Sequence, residues 1–551
     1  MIDAIQAAYV VAILGAAIFS GWLLAPYVVG VYNRSPGRLD RFLDPLENLI
    51  YRVVGADPAH TMDWKQYFLA ALLVNIVQMA IAAFILLFQG SLPLNPQGFS
   101  GLSWDLTFNT VVSIATNTNL QHYNGETTLS YLSQMSAIQF LQFTSAATGL
   151  CAAVAFVRGL TNGSRDMGNF YVDFVRSITR ILIPLCFVAA LVFVALGVPQ
   201  TLGGYVTVKT IEGASQTILV GPVASLVSIM QIGTNGGGYY GANSAYPFQN
   251  PNPQSDILEI FLMLLLPTTL CFVYGLMLGK KRETRPVLFG AYALFAIDLI
   301  IAFIPTSTLN SGMEVRFAGF WSAFWTVVTT AVTTGSVNST LASQHPLVVL
   351  SAFMGMLIQS TPGGIGAGLM YMVMYAVITV FIVGLMSGRT PEYLGFKIRS
   401  RDVLLVMSAF LIHPLIILVP TVLAYATGAA STIGLGTNSL GFTQVLYEFT
   451  SAAANNGSDF LGSMADTPFF NVSTGVVMFL GRYAPMGLLL ALSGSVIGRK
   501  RSPESGLKTD TIAFTAVLVG SIMILVVLTF FPFLALGPIL SYFQGNVNGL
   551  G

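Results

Sequence analysis

The chain has 551 residues, of which 54% are hydrophobic and only 9% charged, and its mean hydropathy is +0.74. This composition is typical of an integral membrane protein and excludes a string of soluble domains. With 24 basic and 23 acidic side chains the formal net charge is +1, so the sequence lacks the basic surface expected of a nucleic-acid-binding protein.

Ten apolar stretches are long enough to cross a bilayer, which takes about 20 helical residues. The first has no basic residue before it and is too long for a signal peptide, so we predict that it is retained with its amino end outside. The seventh could form two helices, but the distribution of basic residues favours one long, interrupted crossing. The predicted spans are 7–29, 68–88, 132–157, 181–198, 257–279, 286–305, 346–386, 403–427, 474–498 and 511–537.

The basic residues are confined almost entirely to alternate loops. Only Lys209, Arg316 and Arg482 lie elsewhere. Because loops rich in Lys and Arg stay cytoplasmic, and an even number of spans returns the chain to its starting side, both termini are predicted to be outside. We therefore expect a multi-pass membrane protein with five cytoplasmic loops. The basic loops are 30–67, 158–180, 280–285, 388–402 and 499–510.

The four long outward segments resemble one another, since each has a short apolar stretch that ends in Thr, Asn, Ser and Gly. With Asn117, Asn235, Gly335 and Asn456 as markers, the spacings are 118, 100 and 121 residues. A recurring period indicates a reused structural unit. The sequence therefore predicts an all-α polytopic membrane protein of about ten transmembrane helices, with four pseudo-fourfold helix–pore loop–helix repeats and two flanking helices.

The predicted division of the chain follows these repeats. The first membrane helix and a cytoplasmic loop take 1–66, and a cytoplasmic loop with the last membrane helix takes 499–551. The repeats occupy 67–157, 158–279, 280–387 and 388–498.

The four polar bends have a composition suited to a monovalent cation. Gly lets a carbonyl turn inward, and Thr and Asn add oxygens without charge. No Asp or Glu precedes the glycine in any bend, whereas divalent cation sites favour carboxylates. Each bend alone is also compatible with an ordinary polar turn. Irregular backbone at membrane depth must be buried in protein or line water, so four such bends on one side indicate a shared aqueous path.

The bends resemble those of the KdpA family of potassium-translocating subunits, which are relatives of the Trk/Ktr/HKT potassium transporters. The resemblance extends over essentially the whole chain. Its motifs are Thr116-Asn117-Thr118-Asn119, Thr234-Asn235-Gly236-Gly237-Gly238 with Asn243-Ser244-Ala245 and Pro247-Phe248, Ser451-Ala452-Ala453-Ala454-Asn455-Asn456-Gly457-Ser458, and Gly388-Arg389-Thr390-Pro391-Glu392-Tyr393-Leu394-Gly395.

The resemblance implies a selectivity filter for K⁺, the transported ion, and no organic cofactor. Thr334 stands where a Cys is usual before the glycine, which leaves the fine selectivity open. The implied filter residues are Asn117, Asn119, Thr234, Asn235, Gly236, Asn243, Thr334, Gly335, Asn456 and Gly457.

The same resemblance implies that ATP is hydrolysed by a P-type ATPase catalytic subunit, and that an accessory subunit and a small single-span subunit complete the complex among the membrane lipids. The sequence agrees, since it contains neither an Asp-Lys-Thr-Gly motif nor a Walker loop. A stand-alone potassium channel or secondary transporter of the same superfamily is the alternative. A membrane hydrolase is a third possibility, but no nucleophile–histidine–acid constellation supports it.

Two further features belong to the region below the implied filter. Gly363, Gly364 and Gly366 interrupt the seventh span. In the resemblance this interrupted helix corresponds to a gate, although a kink that serves packing alone would show the same sequence pattern. Relatives often carry an acidic residue just ahead of these glycines, where this chain has Gln359-Ser360-Thr361. Arg482 lies inside the ninth span, where a charge must face water or a partner, or else snorkel to an interface; we predict that it faces the pore vestibule. Neither Asp298 nor Glu259 receives a role from the sequence.

Overall fold

The computed structural model describes residues 4–37, 40–161, 166–305, 314–501 and 508–547. Within these ranges ten helices are long and apolar enough to cross a membrane, which confirms the predicted number and the all-α polytopic class. Each overlaps one predicted stretch. The ten are Ala4–Tyr32, Trp64–Ser91, Tyr131–Leu160, Phe170–Ala195, Pro253–Met277, Lys281–Phe303, Ala367–Met386, Ser400–Ala426, Pro468–Val496 and Ile512–Gln544; we call them spans 1 to 10.

Four shorter helices lie between spans 2 and 3, 4 and 5, 6 and 7, and 8 and 9. Nearly every residue in them is buried, so they are enclosed by the longer helices. Each leads into one of the predicted polar bends, and spans 1 and 10 flank the set. These re-entrant helices 1 to 4 are Trp104–Ala115, Val223–Ile232, Ala318–Ala331 and Ser439–Ala453.

The seventh predicted span consists of two helices. Pro346–Ile358 ends at Gln359, which has a left-handed φ of 55°, and span 7 begins at Ala367 after two glycines with positive φ, Gly363 and Gly366. Such backbone cannot continue an α-helix. The segment 359–366 between them is the broken segment.

Local sequence signals fix many helix starts. Ser103 and Asn438 cap re-entrant helices 1 and 4 by accepting from the backbone N–H groups of Leu106 (3.3 Å) and Gly441 (2.8 Å). Asp63 and Gln66 form a reciprocal capping box at the start of span 2. These polar groups satisfy N–H donors that the helix itself leaves free.

Span 1 packs closely against span 5. A Cβ placed on Gly21 would lie only 3.1 Å from the Thr269 backbone nitrogen, so the two backbones meet at this level. Any larger residue at position 21 would force them apart.

One amphipathic helix lies outside the spans. Asp40–Val54, within the first predicted cytoplasmic loop, exposes Phe42, Leu46, Leu49, Val53 and Val54. Arg180 of span 4 forms ion pairs with Asp40, with Asp44 at 2.5 Å and with Glu47 at 2.6 Å. This arrangement is typical of a helix that lies in the membrane interface.

The remaining elements are short. Two antiparallel hairpins pair Val206–Lys209 with Ser215–Ile218 and Glu392–Tyr393 with Phe396–Lys397. Further helices and turns are Gly125–Thr128, Ala429–Thr432, Leu540–Val547, Asn243–Ala245, Leu341–Ser343 and Gly462–Ala465, and wider π-helical turns at Gln134–Gln139, Ser177–Leu182 and Ala535–Ile539 lie within longer helices.

Candidate cation-binding site

The loops that follow the four re-entrant helices share one backbone course. The second residue after each helix has positive φ, and so has the fourth, while the residue between them does not. The second residues are Asn117, Thr234, Thr333 and Asn455, with φ of 66°, 47°, 46° and 52°; the fourth are Asn119, Gly236, Gly335 and Gly457, with φ of 53°, 80°, 90° and 107°. The four loops are therefore structurally equivalent, and we number them 1 to 4 after the re-entrant helices that they follow.

The N–H groups of these loops turn back to the helix that precedes them. In loop 3 the N–H of Thr334 donates to the Thr329 carbonyl (2.7 Å), and the N–H of Gly335 donates to the Thr329 hydroxyl (2.9 Å). In loop 4 the N–H groups of Asn456 and Gly457 both bond to Ser451, each at 2.9 Å. Because a trans peptide points its carbonyl away from its N–H, the carbonyls before these residues face away from the helix.

The fourth residue is a glycine in three of the four loops, and each of these glycines touches the next loop directly. A methyl group on Gly236 would overlap the Thr334 carbonyl oxygen, one on Gly335 would overlap that of Asn456, and one on Gly457 would overlap that of Thr118. Loop 2 therefore packs on loop 3, loop 3 on loop 4, and loop 4 on loop 1.

Asparagine side chains of loop 1 bond to loop 2 and so supply the remaining contact of the ring. Asn117 Nδ2 donates to the carbonyls of Gly233 (3.1 Å) and Thr234 (2.6 Å), and Asn119 Nδ2 donates to that of Gly236 (2.7 Å). The four loops thus form a closed ring, which we call the loop ring.

The loop ring separates two small cavities. One cavity, of about 30 Å³, is lined by Thr333 and Asn455, and the other, of about 40 Å³, is lined by Asn119, Gly335 and Gly457. We name them the inner and the outer cavity after the predicted orientation of the chain. Each cavity has room for at least one water molecule. Since the lining residues of the two cavities are two positions apart in loops 3 and 4, these loops run from one cavity to the other.

Among the implied filter residues, most of the asparagine side chains brace the loops. Asn235 Nδ2 donates to Asn117 Oδ1 (2.7 Å) and to Ser145 Oγ (2.9 Å). Asn456 Nδ2 donates to the Thr329 carbonyl (2.9 Å). Because the side-chain oxygens of Asn117 and Asn456 also accept hydrogen bonds, the backbone carbonyl of each is the group left to face an ion. Asn243 follows loop 2 and lies in the lining of the outer cavity, together with Asn119, Gly335 and Gly457.

Two buried carboxylates form hydrogen bonds with residues next to the loops. Glu259 of span 5, which received no role in the sequence analysis, accepts from Gln231 Nε2 (2.5 Å) and from Ser244 Oγ (2.6 Å). Glu448 in re-entrant helix 4 lies 3.0 Å from His122 Nε2, just after loop 1. Burial is the largest influence and lowers the His122 pKa, but the hydrogen bond and charge of Glu448, together with Asn471 and Asp459, outweigh it, so the His122 pKa is raised. Neither pairing can be read from spacing, because the partners are distant in sequence.

The predicted gate and vestibule residues meet at the inner cavity. The N–H of Gly363 donates to the Ala331 carbonyl (2.9 Å), and that of Ile365 donates to Thr234 Oγ1 (3.1 Å), so the broken segment lies against loops 2 and 3. Gly364 and Arg482 line the cavity, and a methyl group on Gly366 would overlap the Gly149 carbonyl. Arg482 is 8% exposed and donates to the Ser145 carbonyl at 3.2 Å. It therefore does not snorkel.

Thr334 provides the first test of a side-chain ligand. Its buried hydroxyl has no hydrogen-bond partner in the described part of the chain. If this oxygen binds the ion, Thr334→Val should weaken apparent potassium affinity about tenfold while Thr334→Ser retains it, since one lost oxygen dipole costs about 1.4 kcal/mol. Potassium titrations of ATP hydrolysis by the purified complex measure this. Equal affinity in both variants would remove the hydroxyl from the ligand set.

Asp459 lines the outer cavity, where its charge would act on a bound cation. Burial, and then the charge of nearby Glu448, raise the pKa of Asp459 to about 8. The carboxyl is neutral below that pH and negative above it, so apparent potassium affinity should increase about fivefold between pH 7 and pH 9, the effect of about 1 kcal/mol expected from one charge in a hydrated site.

Potassium titrations at several pH values, with affinity separated from maximal rate, test the role of Asp459. Asp459→Asn should flatten most of the dependence. Glu212→Gln, an exposed acid in the turn after Val206–Lys209, is the control and should leave it intact. An unchanged profile in Asp459→Asn would assign the dependence to another group.

A closed ring of four uncharged loops within ten membrane helices is the architecture of a protein that conducts cations. The chain belongs to the KdpA family, potassium-transporting ATPase A subunit, whose model matches residues 11–543. A relative from Caldanaerobacter subterraneus subsp. tengcongensis, the potassium-transporting ATPase potassium-binding subunit, is 46% identical over an alignment of 541 residues that covers 94% of this chain and 96% of the relative.

Proposed function

We propose that this chain binds potassium from the outer side at the loop ring and passes it inward as the translocating subunit of an ATP-driven import complex. The observation that carries the proposal is the closed ring between two cavities, with backbone carbonyls turned away from the supporting helices. Neutral oxygen dipoles replace the hydration shell of a monovalent cation without the charge that would favour a divalent one.

The helix termini support a cation rather than an anion. All four re-entrant helices end directly at the loop ring, and the carboxyl end of a helix carries about half a negative charge. We propose that the carbonyls of the second and third loop residues, together with Thr334 Oγ1 and Asn119 Oδ1, supply the ligands. Both of these side-chain oxygens are buried without a hydrogen-bond partner in the described residues.

The partners follow from the family rather than from contacts. We propose a P-type ATPase catalytic subunit, an accessory subunit and a small single-span subunit in the same complex, located in the inner membrane. The distribution of Lys and Arg supports an orientation with both termini outside.

The decisive experiment compares cations on the purified complex. Potassium and rubidium should stimulate ATP hydrolysis at concentrations at least about a hundredfold below sodium, a difference of about 2.7 kcal/mol. A P-type ATPase chain should copurify with this subunit. Equal stimulation by sodium would contradict the proposed ion. ATP-independent accumulation of potassium by the isolated chain in liposomes would instead support the secondary-transporter alternative.

A further inference from the structure

An open groove lies between spans 1, 5 and 6, away from the loop ring. It has a volume of about 490 Å³, which is within the range of ligand sites in proteins. Apolar side chains form most of its lining: Trp22, Leu23 and Pro26 from span 1, Phe272 and Leu276 from span 5, and Leu288 and Phe289 from span 6. Trp22 and Phe289 are 56% and 52% exposed, so the chain itself does not fill the groove.

One end of the groove is basic. Lys281 and Arg285 line it together with Thr284, at the start of span 6. Both basic residues are exposed, and neither forms an ion pair with the part of the chain that the structure describes. They belong to the loop 280–285, which is predicted to be cytoplasmic. Two positive charges therefore stand at the membrane surface above an apolar cleft.

The groove extends from that surface into the membrane. From Lys281 to Phe289 span 6 rises about 12 Å, at about 1.5 Å per residue. Trp22 lies on span 1 about ten residues before its cytoplasmic end at Tyr32, so the groove reaches well into the hydrocarbon of the inner leaflet. Gly21 holds spans 1 and 5 together just beyond Trp22, which closes the deep end of the groove.

We propose that this groove binds an anionic glycerophospholipid of the inner leaflet, with its phosphate at Lys281 and Arg285 and one acyl chain along Trp22, Leu276 and Phe289. The division into a basic end and an apolar body matches the two parts of such a lipid. A transmembrane helix from a partner would fill the apolar body but would not account for two adjacent positive charges that have no ion pair within the described residues. The inner leaflet is also the one rich in anionic lipid.

The test counts lipids on the detergent-purified complex by native mass spectrometry after exchange into phosphatidylcholine and titration with phosphatidylglycerol. Lys281→Gln combined with Arg285→Gln should weaken phosphatidylglycerol binding about thirtyfold, equivalent to about 2 kcal/mol for two charges near the surface. The matched control is Arg282→Gln with Lys508→Gln, which removes two neighbouring charges that do not line this groove; it should retain binding.

A second variant tests whether lipid binding requires the apolar groove or only the positive charge at the surface. Leu276→Trp fills the apolar body and leaves both basic residues in place, so it too should prevent retention of the lipid. Equal phosphatidylglycerol binding by the wild type and both groove variants would overturn the proposal. So would equal retention of phosphatidylcholine by the wild type, or a cross-link from position 22 to a partner helix.

Discussion

Gly236→Ala is expected to abolish the preference for potassium over sodium. The new methyl group would overlap the Thr334 carbonyl oxygen and come within 3.0 Å of the Gly335 Cα, so loops 2 and 3 must separate. The φ of 80° at this position adds strain for any residue with a Cβ. Because both ring contacts and carbonyl directions change, apparent potassium affinity should fall about a hundredfold, or about 2.7 kcal/mol.

The experiment measures potassium- and sodium-dependent ATP hydrolysis by the assembled complex. Gly434→Ala is the matched control, since Gly434 has nearly the same φ, 78°, but no atom within 4 Å of the added methyl group. It should behave as wild type. If Gly236→Ala assembles normally and keeps its preference for potassium, the loop ring is not the selectivity filter.

Arg482→Gln is expected to increase passive rubidium flux through the complex about a hundredfold. The guanidinium lines the inner cavity and has no acidic partner in the described chain, so its charge opposes a cation in that cavity. At a separation of about 6 Å and an effective dielectric constant of about 20, the repulsion is about 3 kcal/mol.

Rubidium efflux from liposomes in the absence of ATP measures this flux. Arg482→Lys keeps the charge and should keep the leak low, while potassium-stimulated ATP hydrolysis checks that both variants are intact. A leak that is the same in wild type and Arg482→Gln would show that another group blocks the path, and the broken segment is then the next candidate.

Hydropathy and turn residues predicted the ten spans and the four bends, because both signals are local. The sequence did not reveal which residues of the four bends occupy equivalent positions. Asn117 and Asn235 served as equivalent markers, yet the structure aligns Asn119 with Gly236, Gly335 and Gly457. The residue at which each re-entrant helix ends decides the alignment, and helix ends depend on packing as well as on local preference.

The direction of the polar side chains was beyond sequence reasoning. Asn117 bonds to loop 2, and Asn456 bonds to Thr329 of re-entrant helix 3, so both partners are more than a hundred residues away. Thr333, a β-branched residue with a left-handed φ, gave no signal at all. The amphipathic helix Asp40–Val54 could have been predicted, because the spacing of its apolar residues is visible in the sequence.

A single polypeptide supplies all four quadrants of the loop ring, and three carry glycine where the first carries Asn119. In a tetramer of identical subunits any mutation changes four positions at once, whereas here it changes one. Evolution can therefore adjust each quarter independently, which lets an asymmetric entrance coexist with a nearly symmetric path.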